Sequence, residues 1–418
     1  MPSSSPTAAT GTTDPPSAYA RAVTAWAAHL REGGTTPWRA WQQAEPPDGE
    51  RAVDLRPLPD AVHLELVRRI NLAGQTATPN RAATDGLTGL ADRVLATAAP
   101  GRGLLDVPLP WPTRPRPFGT PPRDPAEVPA EELVRLAVGV LAHLLPELPV
   151  PARSEPPRPW PAPWRRRFQL HGAPATVAAV RRGLLLQGYV ETGWRPTHVV
   201  IARPVDVMMA EHWAATVREG GILKWSTLWR RAQAAGRLPD PIDVTATALR
   251  LSGRHREPLH VVVARDADRA AALAAEALRA APVEVVGRGE AALSDLLRRL
   301  NRLAVLTRGP QHARDLATIL VRVLEDRQDR DDRDDREDRA PASGDDLSPV
   351  TPPASLPWAR EVAAAATEEL RSAGYAVHGA PDDLAPTEHR LPGAVDRERT
   401  LELAVTACLR TWHLGDHP

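Results

Sequence analysis

Apolar positions recur at three- and four-residue steps up to about residue 145, the period of helices packed on a core. The pattern predicts helices over Tyr19 to Leu30, closed by Gly33-Gly34, over Pro59 to Ala73, over Thr88 to Thr97 and over Pro129 to Leu145. In the second, Val62, Leu66, Ile70 and Ala73 form one stripe, and in the last Leu133, Leu136, Ala137, Val140, Leu141 and Leu144 share a face. From residue 167 short apolar runs alternate with helical ones. Strands are predicted at 167–171, 197–202, 258–264 and 282–286, with helices at 174–187, 204–219, 224–235, 240–252, 266–280 and 289–304. A helix at 358–373, a strand at 375–378 and a helix at 396–412 follow. This alternation predicts an α/β fold, a mostly parallel sheet with helices on both faces, preceded by a mostly α-helical domain.

Composition places the boundaries. Residues 1–18 are mostly Ser, Thr, Pro and Ala with no apolar core and read as disordered, neither signal peptide nor anchor. The helical domain spans 19–150, with the Pro/Gly-rich stretch 100–125 lying extended against its helices. Residues 151–166 form a proline-rich linker. The α/β domain runs over 167–325 and resumes at 357–413. Between them, 326–356 alternates Asp and Arg and offers nothing apolar to bury from Arg327 to Arg339, so a disordered charged insertion is expected.

The 52 Lys plus Arg balance 52 Asp plus Glu, which excludes general attraction to nucleic acid or anionic membrane and leaves a protein as the class of macromolecular partner. Lys224 is the only lysine, and the Ala, Arg and Pro abundance fits a GC-rich genome, so single arginines carry less meaning than usual. A lone Cys408 excludes an internal disulfide and a Cys-based zinc site and suits a reducing cytoplasm. The most apolar stretch, Leu133 to Leu145, is interrupted by Arg135 and His143 and is too short for a bilayer, which needs about 20 residues.

Candidate chemistry concentrates at two strand-to-helix turns. Phe168 to Leu170 meets Gly172 and Pro174, and a helix begins at once, so backbone amides and the positive end of a helix dipole face the crevice. Gly172 and Thr176 are therefore candidate anion-binding residues, against the plainer reading of a simple connection with Pro174 at the first helical position. The second turn carries Arg203, either a third anion ligand or an ion pair with Asp206. Val205, Met208, Met209, His212 and Trp213 share a stripe that reads as core-facing, and His198 and His260 open strands as structural residues do. Several of the twelve tryptophans sit beside prolines and read as pins for proline-rich segments rather than a stacking surface. The Arg165-Arg-Arg167 cluster suits either an acidic partner or a solvated strand start.

The chain also echoes itself. Trp26-Ala-Ala, Arg31-Glu-Gly-Gly and Trp38 recur at the same spacing as Trp213-Ala-Ala, Arg218-Glu-Gly-Gly and Trp225; Leu66-Val-Arg-Arg-Ile-Asn is matched by Leu296-Leu-Arg-Arg-Leu-Asn, and Leu58-Pro-Asp by Leu238-Pro-Asp. A partial, diverged duplication is expected, with helices of the second domain repeated in the first.

Taken together, 167–325 and 357–386 resemble the sulfotransferases, especially the sulfotransferase-like proteins of actinobacteria. The resemblance implies a P-loop-type α/β fold and transfer of a sulfuryl group from 3′-phosphoadenosine-5′-phosphosulfate. Gly172-Ala-Pro174 stands where that family's phosphosulfate loop, Pro-Lys-[Ser/Thr]-Gly-Thr-Thr, begins. Val199 to Arg203-Pro204 stands at its strand ending in Arg, followed eight residues on by a Ser; Arg and Ser hold the 3′-phosphate. The tail from Trp358 to Pro386 resembles the family's closing helix and strand. Departures are many: the loop lysine falls on Ala175, the glycine on Val177, the threonines on Ala178 and Ala179, and the Ser on Glu211. Sulfuryl transfer needs cationic and N–H donors where charge develops. The resemblance therefore implies a non-catalytic protein with a binding or interaction role, no resident cofactor, and at most residual binding of a 3′-phosphoadenosine-type nucleotide at Gly172, Thr176 and Arg203. Two alternatives stand beside it: an active sulfotransferase or other phosphonucleotide-dependent transferase with atypical residues, and a helical scaffold.

Overall fold

The computed structural model describes residues 18–44, 58–77, 87–98, 107–111, 121–151, 166–191, 195–252, 259–283, 285, 291–334, 349, 351–387 and 396–415. The expectations for 1–17, the linker 152–165 with Trp160 and Trp164, and 335–348 lie outside them. The chain divides into two compact units between Val140 and Leu141. That point precedes the proline segment suggested by composition, because the 3-10 turn Leu145–Glu147 already packs within the second unit, on the helix that starts at Pro310.

The first unit holds α1 (Ala18–Arg31), α2 (Trp38–Gln43), α3 (Ala61–Ala77), α4 (Leu87–Ala96) and most of α5 (Ala130–Leu144). Helices α1, α3 and α4 pack on one another around fully buried Trp26, Leu30, Leu66, Ile70, Leu90 and Val94. The short α2 was not expected from the pattern; it is pinned by Trp38, whose indole N–H donates to the Pro110 carbonyl at 3.3 Å, beside Gln42 at 3.1 Å. Residues 107–111 lie against the helices as expected: Ala61 N–H donates to Val107 O at 3.0 Å, and Tyr19 meets Trp111 edge-on at 5.8 Å.

The second unit is built on five parallel strands in the order β2-β1-β3-β4-β5, the flavodoxin-like order of doubly wound sheets. In chain order they are β1 (Arg167–Gly172), α6 (Pro174–Leu186), β2 (Val190–Glu191), β3 (Thr197–Ala202), α7 (Val205–Arg218), α8 (Trp225–Ala235), α9 (Val244–Ser252), β4 (His260–Val263), α10 (Ala267–Ala277), α11 (Ala291–Arg308), α12 (Pro310–Asp334), α13 (Leu356–Ser372), β5 (Ala376–Gly379) and α14 (Arg397–Leu414). Alternation along the strands sends Phe168, Leu170, Val199, Ile201 and Val262 into one core with Val177, Val180 and Leu184 of α6 and Ala270 and Leu273 of α10. On the other face α9 packs against β1 and β3. Helices thus cover both faces, and the central strands β3 and β4 are buried on both sides as strands of parallel sheets are. The tail belongs to the same sheet, since β5 pairs with β4 through Val261–Val377 and Val262–His378.

Two expectations are corrected. Residues 281–283 and 285 are not strand; Pro282 lacks the N–H a ladder requires, and β5 takes the place beside β4. The expected disorder from 326 is replaced up to Asp334 by α12, in whose sequence acidic residues recur three or four positions from arginines, a spacing that favours helix; the next described element is the 3-10 turn Pro353–Ser355. Arg166, from the cluster at the strand start, is exposed and donates to the carbonyls of Leu278 at 3.4 Å and Arg279 at 3.0 Å at the end of α10.

The internal echo is geometric as well as sequential. Helix α1 ends on Gly33 (φ 86°) and α7 on Gly220 (φ 90°). Gly34 N–H donates to His29 O and Gly221 N–H to Thr216 O, both at 2.9 Å, the same helix-closing turn. Trp26 donates to the carbonyl ten residues on, Thr36, at 3.0 Å, and Trp213 to Leu223, also ten on, at 2.8 Å. Trp26 lies 5.1 Å from Trp38 and Trp213 5.6 Å from Trp225. The amide of Asn71 on α3 bridges Leu30 O and Gly34 O at 2.7 and 2.8 Å; that of Asn301 on α11 bridges Val217 O and Gly221 O at 2.7 and 3.0 Å. Glu65 accepts from Arg68 and Arg69, and Asp295 from Arg298 and Arg299. The Leu-Pro-Asp match alone has no counterpart. Asp60 caps α3 through the amides of Val62 and His63, whereas Asp240 opens a 3-10 turn and pairs with Arg237.

Candidate functional site

The crevice beyond the carboxyl ends of β1 and β3 is where the strand order reverses, the usual ligand position in open parallel sheets. Gly172 ends β1 at φ +105°, and a Cβ there would lie 2.0 Å from Ile201 O. Only glycine allows this approach, which lets Ala173 N–H donate to that same carbonyl at 2.9 Å. Pro174 follows as the first residue of α6. The amides of Ala175 and Thr176 are then left without helical partners and face the crevice.

The group they meet is the protein's own. Glu211 on α7 places Oε2 at 2.9 Å from Ala175 N and 3.3 Å from Thr176 N, while its Oε1 accepts from Thr176 Oγ1 at 3.2 Å and from the Arg203 guanidinium at 2.7 Å. Each carboxylate oxygen accepts twice, which saturates it. Arg203 also donates to Arg265 O in the loop after β4, at 2.8 Å. The side chains of Arg203 and Glu211 are 8% and 9% exposed, so this is a buried ion pair. The structure thus brings Thr176 and Arg203 together, with Gly172 shaping the turn. It seats at their focus a carboxylate that sequence reasoning treated only as repulsive to phosphate. A signal for this was present: α6 has no acidic residue in its first turn and no side-chain cap. An acid eight residues after Arg203 lies about two helical turns away, within reach of that vacancy.

Arg203 does not pair with Asp206. The Asp206 carboxylate accepts from the backbone N–H and hydroxyl of Thr387; burial raises its pKa, and the hydrogen bonds from Thr387 oppose that rise. A cavity of about 270 Å³ adjoins the ion pair, lined by Ala175, Thr176, Arg203 and Glu211 together with Trp213 and Ser294. Lys224 precedes α8 and is exposed, away from this lining.

Two pairs of histidines lie side by side within the sheet. His171 on β1 and His198 on β3 have ring centroids 5.7 Å apart, and His260 Nδ1 on β4 lies 3.0 Å from His378 Nε2 on β5. Burial, then the charges of His198, Arg250 and Arg181, push His171 down to about 4. Burial also lowers His212 and, with His378, His260. His198, His212 and His260, read from the sequence as structural, sit on β3, α7 and β4. Among the described residues no group of three or more His, Cys, Asp and Glu side chains is arranged to hold a metal, and no helix is long and apolar enough to cross a membrane.

No family model, curated protein or solved structure matches this chain.

Proposed function

We propose that the chain is a non-catalytic, sulfotransferase-like protein whose α/β unit serves in binding or interaction rather than in sulfuryl transfer. The observation that carries this is the Glu211 carboxylate, seated on the helix-start amides and Arg203 where an anionic cofactor group would have to lie. Two anions do not share one such seat; a like charge this close disfavours a phosphate. Ala175, Val177, Ala178 and Ala179 add no cation at the turn, and one lost donor typically costs a few kcal/mol of transition-state stabilisation. The test is calorimetric titration of the whole chain with adenosine 3′,5′-bisphosphate, together with turnover of phosphoadenosine phosphosulfate on phenol, sugar and amine acceptors. Neither binding nor turnover is expected. Turnover that disappears in Arg203→Ala would establish the active-transferase alternative instead.

A further inference from the structure

We propose that Glu211 is an intramolecular ligand: its carboxylate fills a seat for a small oxyanion, and the seat takes free carboxylate, sulfate or phosphate once that side chain is removed. The donors come from separate elements that hold their places without Glu211. The amides of Ala175 and Thr176 are fixed by α6 and by the Gly172 turn, itself tied to β3 through Ile201 O. Arg203 is delivered from the end of β3 and anchored on Arg265 O at 2.8 Å. Thr176 is 1% exposed and Arg203 7%, so neither relaxes readily into solvent. Two oxygens bonded by two amides, a hydroxyl and a guanidinium reproduce the donor set of an oxyanion site, with opposite charge supplied by Arg203 and the helix dipole. The seat opens on the 270 Å³ cavity, which gives a free anion a path to it. This deepens the reading above, because the anion already present is what keeps an external one out; it depends on the seat, however, and not on the absence of catalysis.

The experiment is thermal denaturation of wild type, Glu211→Ala and the double variant Arg203→Gln/Glu211→Ala. Acetate, sulfate or phosphate is titrated against chloride at matched ionic strength. Glu211→Ala is expected to melt below wild type and to recover by about 2–4 °C, saturably, with sulfate or acetate over chloride, while wild type and the double variant show no such difference. If Glu211→Ala fails to fold in chloride, its refolding yield in sulfate against chloride is the readout, with a higher yield expected. Glu211→Gln, which keeps the shape of the side chain, is expected to fold and to show little anion response. Equal responses of Glu211→Ala and the double variant would overturn the proposal. A negative nucleotide titration leaves it standing, so the two readings fail separately.

Discussion

At Gly172 and Gly379 the backbone itself is the obstacle to substitution. Both end strands with φ near +100°, and a Cβ would lie 2.0 Å from Ile201 O and 1.9 Å from Val263 O respectively. Alanine at either is expected to cost about 4 kcal/mol or more, since a strained φ is joined to a backbone clash. Gly188→Ala, at φ +84° with open space around it, is expected to cost only about 1 kcal/mol, and urea midpoints of the three variants check the ranking. His171 provides a pH signature. Folded, it titrates near 4, against 6.5 for a free imidazole. The unfolded chain therefore binds the extra proton between those values. Its contribution to stability is complete above about pH 6.5 and is lost as pH falls towards 4. Denaturation midpoints at pH 7.5 and pH 5 should differ, and His171→Gln should reduce the difference. What sequence could reach at this scale was the turn and its polar side chains: Gly172 was legible as the turn residue, and Thr176 and Arg203 as polar groups beside the helix-start amides. The occupant was harder to see, because a Glu in the middle of α7 becomes a ligand only when the fold lays that part of α7 beside the start of α6.

The helix-closing motif offers the test at the level of elements. Trp26 and Trp213 are 0% and 2% exposed, so each Trp→Ala is expected to cost about 3–5 kcal/mol; an exposed stacking residue would cost little. Asn71→Ala and Asn301→Ala each strip the bridging donor from two helix-end carbonyls, and a loss of about 1–3 kcal/mol is expected from each. Similar losses at the matched positions, measured by chemical denaturation, would show that the two copies do the same mechanical work. Helices were the most legible elements, since their apolar period persists over many residues. The strand expected at 282–286 is absent from its described residues; three valines outweighed Pro282 in the reading, although proline is the residue a ladder does not accommodate. The two-residue β2 carries too little pattern to be seen at all.

Across the whole molecule, β5 and α14 tie the end of the chain to the sheet and to α11 and α12. Truncation after Asp334 removes them and is expected to abolish the cooperative melting transition of the second unit. Deletion of 336–346 alone, a stretch with no large apolar side chain, is expected to leave the melting temperature nearly unchanged. Calorimetry on both variants checks this; an intact transition in the truncated form would mean that the tail is dispensable. Chain order and strand alternation made the α/β unit and its tail legible at this scale, whereas the break inside α5 was not, because no local composition marks it.

The paired motif also bears on how the chain reaches this state. Two helix ends with the same Gly-Gly closure wait for an asparagine, and Asn71 and Asn301 carry near-identical neighbours, Leu-Val-Arg-Arg-Ile and Leu-Leu-Arg-Arg-Leu. While the chain is still searching, α3 can dock where α11 belongs, and α11 where α3 belongs, as happens between similar repeats in one polypeptide. Refolding is therefore expected to include a slow phase in which crossed pairings come apart. Asn71→Leu, which removes one competitor's polar anchor, should shrink that phase in stopped-flow tryptophan fluorescence even as it lowers final stability.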